Sequence, residues 1–297
     1  MKTIEILGYP CKIQDPSAVA LGRFDGVHLA HQKVIANSKR ENLVSVVFTF
    51  CDNPGKADSK LITTEKEKQA LMENCKADIL VNATFESVRN MSAEEFVRDV
   101  LCNCLNAKVI SCGYNYRFSK GAAADVNTLR SLCEKYSITL VCSEELIIDN
   151  ITVSSTAIRN LLAEGNISLV NKLLGRAYSL EGKIIHGNAI GRTINTPTLN
   201  IDVEETKLLP LYGVYATRAY IGGRWFPSVT NIGVKPTVGS VSPTVETYLL
   251  DFDGDFYGDY CRIELVDFIR EEEKFSDLSA LKEAIAKDIE KAKLLLT

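Results

Sequence analysis

The feature that most narrows the fold of this chain is a change of rhythm near residue 178. Before it, short β-branched runs alternate with stretches of helical spacing. After it, strand-like runs succeed one another with no helix between them until the tail. In the first part, runs at Ala18 to Leu21, Leu43 to Phe50, Asp78 to Asn82, Lys108 to Cys112 and Ile138 to Cys142 are interleaved with helical patterns such as Thr64 to Asn74 and Ser92 to Leu105. That alternation predicts a doubly wound α/β domain, a parallel sheet with helices on both faces. Ser92 and Glu95 form a capping-box pattern at one helix start. The spacing from Val153 to Leu174 predicts two further helices, with Ser155 or Thr156 as N-cap and a break at Gly165-Asn166. They close a first domain over 1–174.

In the second domain, 175–297, the runs are Tyr178 to Ile185, Gly213 to Ile221, Trp225 to Ile232, Val245 to Phe252 and Cys261 to Arg270, with Gly222-Gly223 as a hairpin turn. A small antiparallel β-barrel fits this pattern. Leu278, Leu281, Ile285 and Ile289 recur at helical intervals in the tail, Asp277 to Leu295, and predict a terminal helix with one face on the barrel.

A length of 297 residues suffices for two cores. Nine cysteines, eight of them before residue 150 and none in a Cys-x-x-Cys pair, read as reduced buried thiols in a reducing compartment, hence a cytoplasmic protein. The opening MKTIEILGYP has no basic and apolar leader pattern, and no later stretch approaches ~18 consecutive apolar residues, so neither export nor a membrane partner is expected. The net charge of -4 comes with no basic stripe, which argues against a nucleic-acid partner. Phosphates, if bound, are bound at local sites. The sequence leaves a homo-oligomer open.

Two segments carry chemistry. GRFDGVHLAHQKVI leaves the first strand and enters a helix, with Gly22, Phe24, Asp25, Gly26, His28 and His31 close together. Free N–H groups and the positive dipole end make a helix N-terminus an anion site. Two imidazoles three residues apart fall on one side of its first turn. HGNAIGRTINTPTLNI, in the β-rich half, holds Gly187, Gly191, Arg192, Thr198 and Asn200. Its glycines allow a loop whose N–H groups face phosphate, and Thr198 and Asn200, two apart on an extended chain, point to one side. A hydroxyl and an amide oxygen so placed suit Mg2+ on a nucleotide. On local composition alone a polar hairpin loop and a threonine-rich edge strand are the favoured reading.

The first segment resembles the signature of the His-x-Gly-His nucleotidyltransferases, and in the form GxFDGVHxxH it is similar to the FMN adenylyltransferase domain of bacterial bifunctional riboflavin kinase/FAD synthetases. GYNYRFSKG, Gly113 to Gly121, and VSSTAIR, Val153 to Arg159, match further blocks of that family. The Pro-Thr-x-Asn tetrad, followed by GVYAT, NIGVKPT and VETYLLDF, resembles riboflavin kinases over about a hundred residues. The resemblance implies a nucleotidyltransferase-like first domain in which His28 and His31 contact the ATP phosphates, Asn115 aligns the reacting groups, and Ser155, Thr156 and Arg159 hold the triphosphate. It implies that Glu246 is the general base of the kinase, that Thr198 and Asn200 orient Mg-ATP, and that Asn231 belongs to the same site. The substrates implied are riboflavin, FMN, FAD and ATP, with Mg2+. The activity implied is phosphorylation of riboflavin to FMN, then adenylylation of FMN to FAD with release of pyrophosphate.

The chain departs from the family pattern at Ala30 and Ser119, where glycine is usual, and at Arg23, where asparagine is usual. Asn195 and Thr196 are a further departure beside the kinase tetrad. An alternative therefore stands beside the main reading, a riboflavin kinase whose impaired first domain serves as a flavin-binding or regulatory module. Trp225 and Phe226 are read as core residues, with stacking on a flavin ring as the other option.

Overall fold

The computed structural model describes residues 5–51, 60–186, 198–237, 240–252, 254 and 256–297. Its contacts divide the chain into two compact units, Met1–Ser155 and Thr156–Thr297.

The first unit is a six-stranded sheet of β1 (Glu5–Gly8), β2 (Ser17–Leu21), β3 (Val44–Phe50), β4 (Ile79–Ala83), β5 (Ala107–Gly113) and β6 (Thr139–Ser143), all parallel, in the order β1-β4-β3-β2-β5-β6. Every residue of β2 is buried, as expected of a central strand covered on both faces. Val19, Leu21, Phe48, Val97, Leu101 and Ile110 pack on one side, and Ala20, Phe24, Val34, Ile35, Met72 and Leu80 on the other. Each such Leu or Ile contributes about 1.5–3 kcal/mol by leaving water. Helix α1 (Leu29–Ala36) follows β2, and α2 (Glu65–Asn74) follows β3. A complete capping box starts α2: Glu67 N–H donates to Thr64 Oγ1 at 3.2 Å, and Thr64 N–H donates to Glu67 Oε2 at 2.9 Å. Ser92 and Glu95 likewise cap α3 (Ala93–Glu95), which widens into a π-helical stretch, Phe96–Cys104. Edge strand β1 and helix α4 (Val126–Lys135), capped by Asp125, were not evident in the sequence pattern. Nor was the two-residue ladder of β7 (Ile147–Ile148) and β8 (Ile151–Thr152).

Helix α5 (Ser155–Ala163) straddles the division between the units, and α6 (Ile167–Leu174) follows the Gly165-Asn166 break. Ser155 lies in the first helical turn rather than at the N-cap, and its hydroxyl donates to the carbonyl of Asp25 at 2.8 Å. In the second unit α6 packs beside the barrel, where Asn171 Nδ2 donates to Leu265 O at 2.9 Å and Asn171 Oδ1 accepts from Tyr178 N–H at 2.7 Å.

The barrel is closed, in the order β10-β13-β12-β11-β14-β9. Its strands are β9 (Tyr178–Ile185), β10 (Thr198–Val203), β11 (Gly213–Ile221), β12 (Arg224–Thr237), β13 (Ser240–Leu249) and β14 (Tyr260–Glu271). Closure by the β9–β10 pairing leaves the sheet no edge. Phe252, read as strand, instead stacks on Phe256 with ring centroids 4.9 Å apart, beside Phe226. Phe226 is buried, but Trp225 is 50% exposed and leans on Tyr220, because it points out of the barrel next to the Gly222-Gly223 turn.

The C-terminal helix, Leu278–Leu296, is capped by Asp277. Its packed face centres on Ala292 and Asp288 rather than on Leu278, which is exposed. Asp288 is buried because Arg270 of β14 holds it with hydrogen bonds of 2.8 to 3.2 Å from Nε and Nη2. The cysteines are all reduced. Cys112, Cys133 and Cys261 are buried, whereas Cys51 is exposed, against the expectation of buried thiols throughout. Burial pushes the thiol of Cys112 up to about 12. Among the described residues, no helix is long and apolar enough to cross a membrane.

Candidate functional site

In the first unit the strand order reverses between β2 and β5. From β2 the chain passes through α1 to β3 on one side; from β5 it passes through α4 to β6 on the other. At such a switch point the loops leave in opposite directions and open a crevice at the carboxyl ends of the strands. The residues Gly22 to His28 leave β2 there, and Asn115 sits exposed on the turn that follows β5, where Tyr116 N–H donates to Gly113 O at 3.1 Å.

The turn after β2 is held by a set of short-range struts. Phe24 is fully buried with φ +52°, and its ring folds back under Gly22, where a Cβ would stand 2.9 Å from Phe24 Cζ. Gly26 has φ +87°, a backbone conformation open to glycine, and its N–H donates to Thr63 Oγ1 at 3.1 Å. The Asp25 carboxylate accepts from the N–H groups of Ile62 and Thr63 at 2.9 and 3.4 Å. Thr49 Oγ1 donates to Arg23 O at 3.0 Å, and Gln32 Nε2 to Val27 O at 2.9 Å. Asp25 thus shapes the turn through its carboxylate. Thr63 and Thr49 were missed in the sequence because nothing local marks a partner 37 or 26 positions away, and Gln32, five positions from Val27, belongs to no motif; the Thr64 capping box was the one nearby signal.

His28 is the N-cap of α1, its Nδ1 accepting from His31 N–H at 3.3 Å. An Nδ1 that accepts leaves Nε2 to carry the proton of the neutral ring, so His28 presents an N–H donor from its far side. The two imidazoles stack, centroids 3.5 Å and planes 17° apart, and Phe24 meets His31 edge-on at 5.3 Å. Burial, then the neighbouring His28, holds the His31 ring well below its ordinary 6.5. His31 Nδ1 is buried with no hydrogen-bond partner among the described residues, a polar atom that a phosphate oxygen or water would satisfy. Thr156, exposed, and Arg159, half-buried, lie in the first turns of α5.

Of the three departures from the family pattern in the first domain, Ala30 is an ordinary residue within α1, and Arg23 is exposed, contributing its carbonyl. Ser119 is different. It has φ +68° and ψ 177°, a region that side chains other than hydrogen rarely enter.

The second constellation is set by strand register. Asn200 on β10 pairs with Glu246 on β13, and Glu246 pairs with Asn231 on β12, so these three stand in one row across three adjacent strands. Thr198 is two residues from Asn200, on the same face of β10. The buried residues Leu199, Ile201, Val245, Thr247, Thr230 and Ile232 alternate with them and fill the interior. Thr198, Asn200, Asn231 and Glu246, each half-buried, therefore line the outer wall of the barrel. Val229, the next outward residue along β12 from Asn231, joins an apolar cluster of Val214, Ala216, Ile269 and Ala292, to which Leu295 and Leu296 of the C-terminal helix also belong. Gly187, Gly191 and Arg192 lie outside the described residues, as do the neighbouring Asn195 and Thr196.

An anion-ready turn at a parallel-sheet switch point, together with a barrel bearing a carboxylate, a hydroxyl and two amides in register, defines a two-domain, nucleotide-using transferase. The riboflavin kinase family model matches residues 174–296, and the FAD synthetase model matches residues 11–157. Among relatives named bifunctional riboflavin kinase/FMN adenylyltransferase, that of Buchnera aphidicola subsp. Schizaphis graminum is 36% identical, over 98% of this chain and 97% of its own. Those of Bacillus subtilis and Escherichia coli K12 are 34% and 31% identical, over 98% and 93% of this chain and 97% and 91% of theirs. The chain belongs to the bifunctional riboflavin kinase/FMN adenylyltransferase family. A solved structure described as a macrolide-efflux protein from Streptococcus pneumoniae superposes with a TM-score of 0.88 at 25% identity, covering 98% of this chain and 99% of that one; the common architecture is what it contributes.

Proposed function

We propose a division of labour between the residues of an enzyme that phosphorylates riboflavin to FMN and adenylylates FMN to FAD, with ATP as co-substrate of both steps. In the kinase step, Glu246 takes the proton of the ribityl 5'-hydroxyl as that oxygen attacks the γ-phosphorus of ATP; ADP leaves, and FMN carries the new P–O bond. The single observation that carries this assignment is the Asn200–Glu246–Asn231 row, which sets the carboxylate between two amides that can orient substrate oxygens. Thr198 and Asn200 offer hard oxygen donors on one face of β10, a donor set that fits Mg2+. Bound there, the ion would neutralise charge on the ATP phosphates.

In the adenylyl step a phosphate oxygen of FMN attacks the α-phosphorus of ATP, the α–β bridge breaks and pyrophosphate leaves. The enzyme needs no covalent nucleophile for this, only alignment and charge stabilisation. His28 donates from Nε2 and His31 from its ring to the ATP phosphates, Asn115 aligns the acceptor from the neighbouring strand end, and Ser155, Thr156 and Arg159 hold the triphosphate. Gly22, Phe24, Asp25 and Gly26 shape the turn, and Gly187, Gly191 and Arg192 belong to the kinase nucleotide loop. No observation favours the alternative of a silenced first domain.

We place the functional boundary at 174, where the riboflavin kinase match begins, giving domains of 1–174 and 175–297. The free cysteines support a cytoplasmic setting. The test is to incubate the protein with riboflavin, ATP and Mg2+ and resolve the flavins over time: FMN appears first and FAD follows. FMN without FAD would contradict the assignment of the first domain, and no FMN that of the second.

A further inference from the structure

Inside the barrel, behind the Glu246 row, runs a chain of hydroxyls that neither reaction uses. Thr217 Oγ1 lies 2.8 Å from Ser228 Oγ and 2.8 Å from Thr230 Oγ1, and Thr230 Oγ1 lies 2.9 Å from Thr247 Oγ1. All four residues are 0% exposed. Apolar side chains surround them, with Val245 and Leu249 on either side of Thr247 along β13. The chain links β11, β12 and β13.

Its position relative to the outer wall is specific. Thr230 and Thr247 are register partners, and the next rung along the same two strands is Asn231 and Glu246. The interior hydroxyl pair and the exterior amide–carboxylate pair are thus the two faces of one stretch of ladder. A slip of one residue would turn Glu246 into the barrel. A slip of two would keep it outside but carry it about 7 Å from Asn231. Apolar interior residues discriminate weakly against the second slip, since one aliphatic side chain replaces another. Hydroxyls discriminate better: a slip of two in one direction sets Thr247 opposite Ile232 and Thr230 opposite Leu249, and in the other sets Thr230 opposite Val245 and Thr247 opposite Ser228, so the buried Thr230–Thr247 hydrogen bond is lost either way.

We propose that Thr247, with Thr230 and Thr217, is a positioning residue of the kinase step, fixing the register and pitch of β13 that hold Glu246 beside Asn231. The inference rests on Glu246 being the kinase base. It is tested in the full chain with Thr247→Val, Thr247→Ser and the pair Thr230→Val/Thr247→Val, alongside Glu246→Gln, by measuring kcat and KM for riboflavin phosphorylation, adenylylation of supplied FMN, and thermal stability. Thr247→Val should lower kinase kcat about tenfold or more with KM for riboflavin and adenylylation unchanged, and Thr247→Ser should restore it. Should Thr247→Val fail to fold, the double variant decides, since it removes both hydroxyls and leaves a matched apolar pair. Its stability should recover while kcat stays low. A parental kcat in Thr247→Val, equal losses in the serine and valine variants, or recovery of both stability and kcat in the double variant would each overturn the proposal. Full kinase activity in Glu246→Gln would instead remove the reading beneath it.

Discussion

The two sites are held in place by opposite means. In the first unit the working groups sit on a turn between β2 and α1, and their geometry comes from point contacts: Asp25 to Ile62 and Thr63, Gly26 to Thr63, Ser155 to Asp25, His28 capping its own helix. In the second unit the working groups sit on strands, and their geometry comes from the pairing of Asn200, Glu246 and Asn231 across a closed sheet. A turn can be undone by losing one strut. A register is shared by many bonds, so a single outward-facing side chain can be exchanged with little effect on the wall that carries it. The contrast implies that substitutions in the first site mix stability with activity, whereas substitutions on the barrel wall separate them.

The sharpest way to break that comparison is Glu246→Gln. It should lower riboflavin phosphorylation by about 10²–10⁴-fold while the barrel melts as before, because the side chain is on the outer wall and the amide keeps its shape. A large loss of stability in calorimetry would contradict the independence of wall and side chain. In the first site, His28→Asn tests whether cap and chemistry can be parted. Asparagine is as good an N-cap, so α1 should be retained, while the lost Nε2 donor should slow FAD formation by about 10²-fold. If instead the variant loses stability, the stacked His28–His31 pair holds the turn together.

Ser119 sharpens the comparison on the side of strain. Its φ of +68° and ψ of 177° are those of glycine, at the end of the block that follows β5. Ser119→Gly should raise stability by about 1–3 kcal/mol, visible as a calorimetric shift. Fluorescence of Trp225, the single tryptophan and a reporter of the barrel, should keep its midpoint. Both probes moving together would mean that the units unfold as one.

The smallest effect expected is on pH. The native His31 ring is held well below 6.5, so the unfolded chain binds its proton first. Stability is then complete above about 6.5 and declines as pH falls from there toward the depressed native value. His31→Gln should flatten this part of the profile for the first unit; an unchanged profile would assign it to other groups.

Much of this organisation was legible in the sequence. β9 and β11 span the runs read for them: in β9 the buried Tyr178, Leu180 and Ile184 alternate with more exposed residues, and β11 opens at Gly213 and ends at the Gly222-Gly223 turn. The turn after β2 could be recognised because its residue types are contiguous. What could not be read was whatever depends on pairing. Alternation placed Glu246 on one face of a strand, but no local pattern says which face of which barrel, nor that Asn231 and Asn200 flank it. The buried Asp288 broke the apolar stripe of the last helix because its partner, Arg270, lies on β14. Trp225 was misread as core because an aromatic in a strand signals burial unless its face is known. The strain at Ser119 was hidden for a different reason: a serine announces nothing about φ.

The most direct test of the separation between the two sites is a crossed assay. The parent, Glu246→Gln and His28→Asn are each given riboflavin or FMN with ATP and Mg2+, and FMN and FAD are resolved over time. The expected result is that Glu246→Gln makes FMN at least about 10²-fold more slowly yet converts supplied FMN to FAD at the parental rate, and that His28→Asn accumulates FMN. A substitution that stops both steps, or neither, would contradict the assignment of one reaction to each domain.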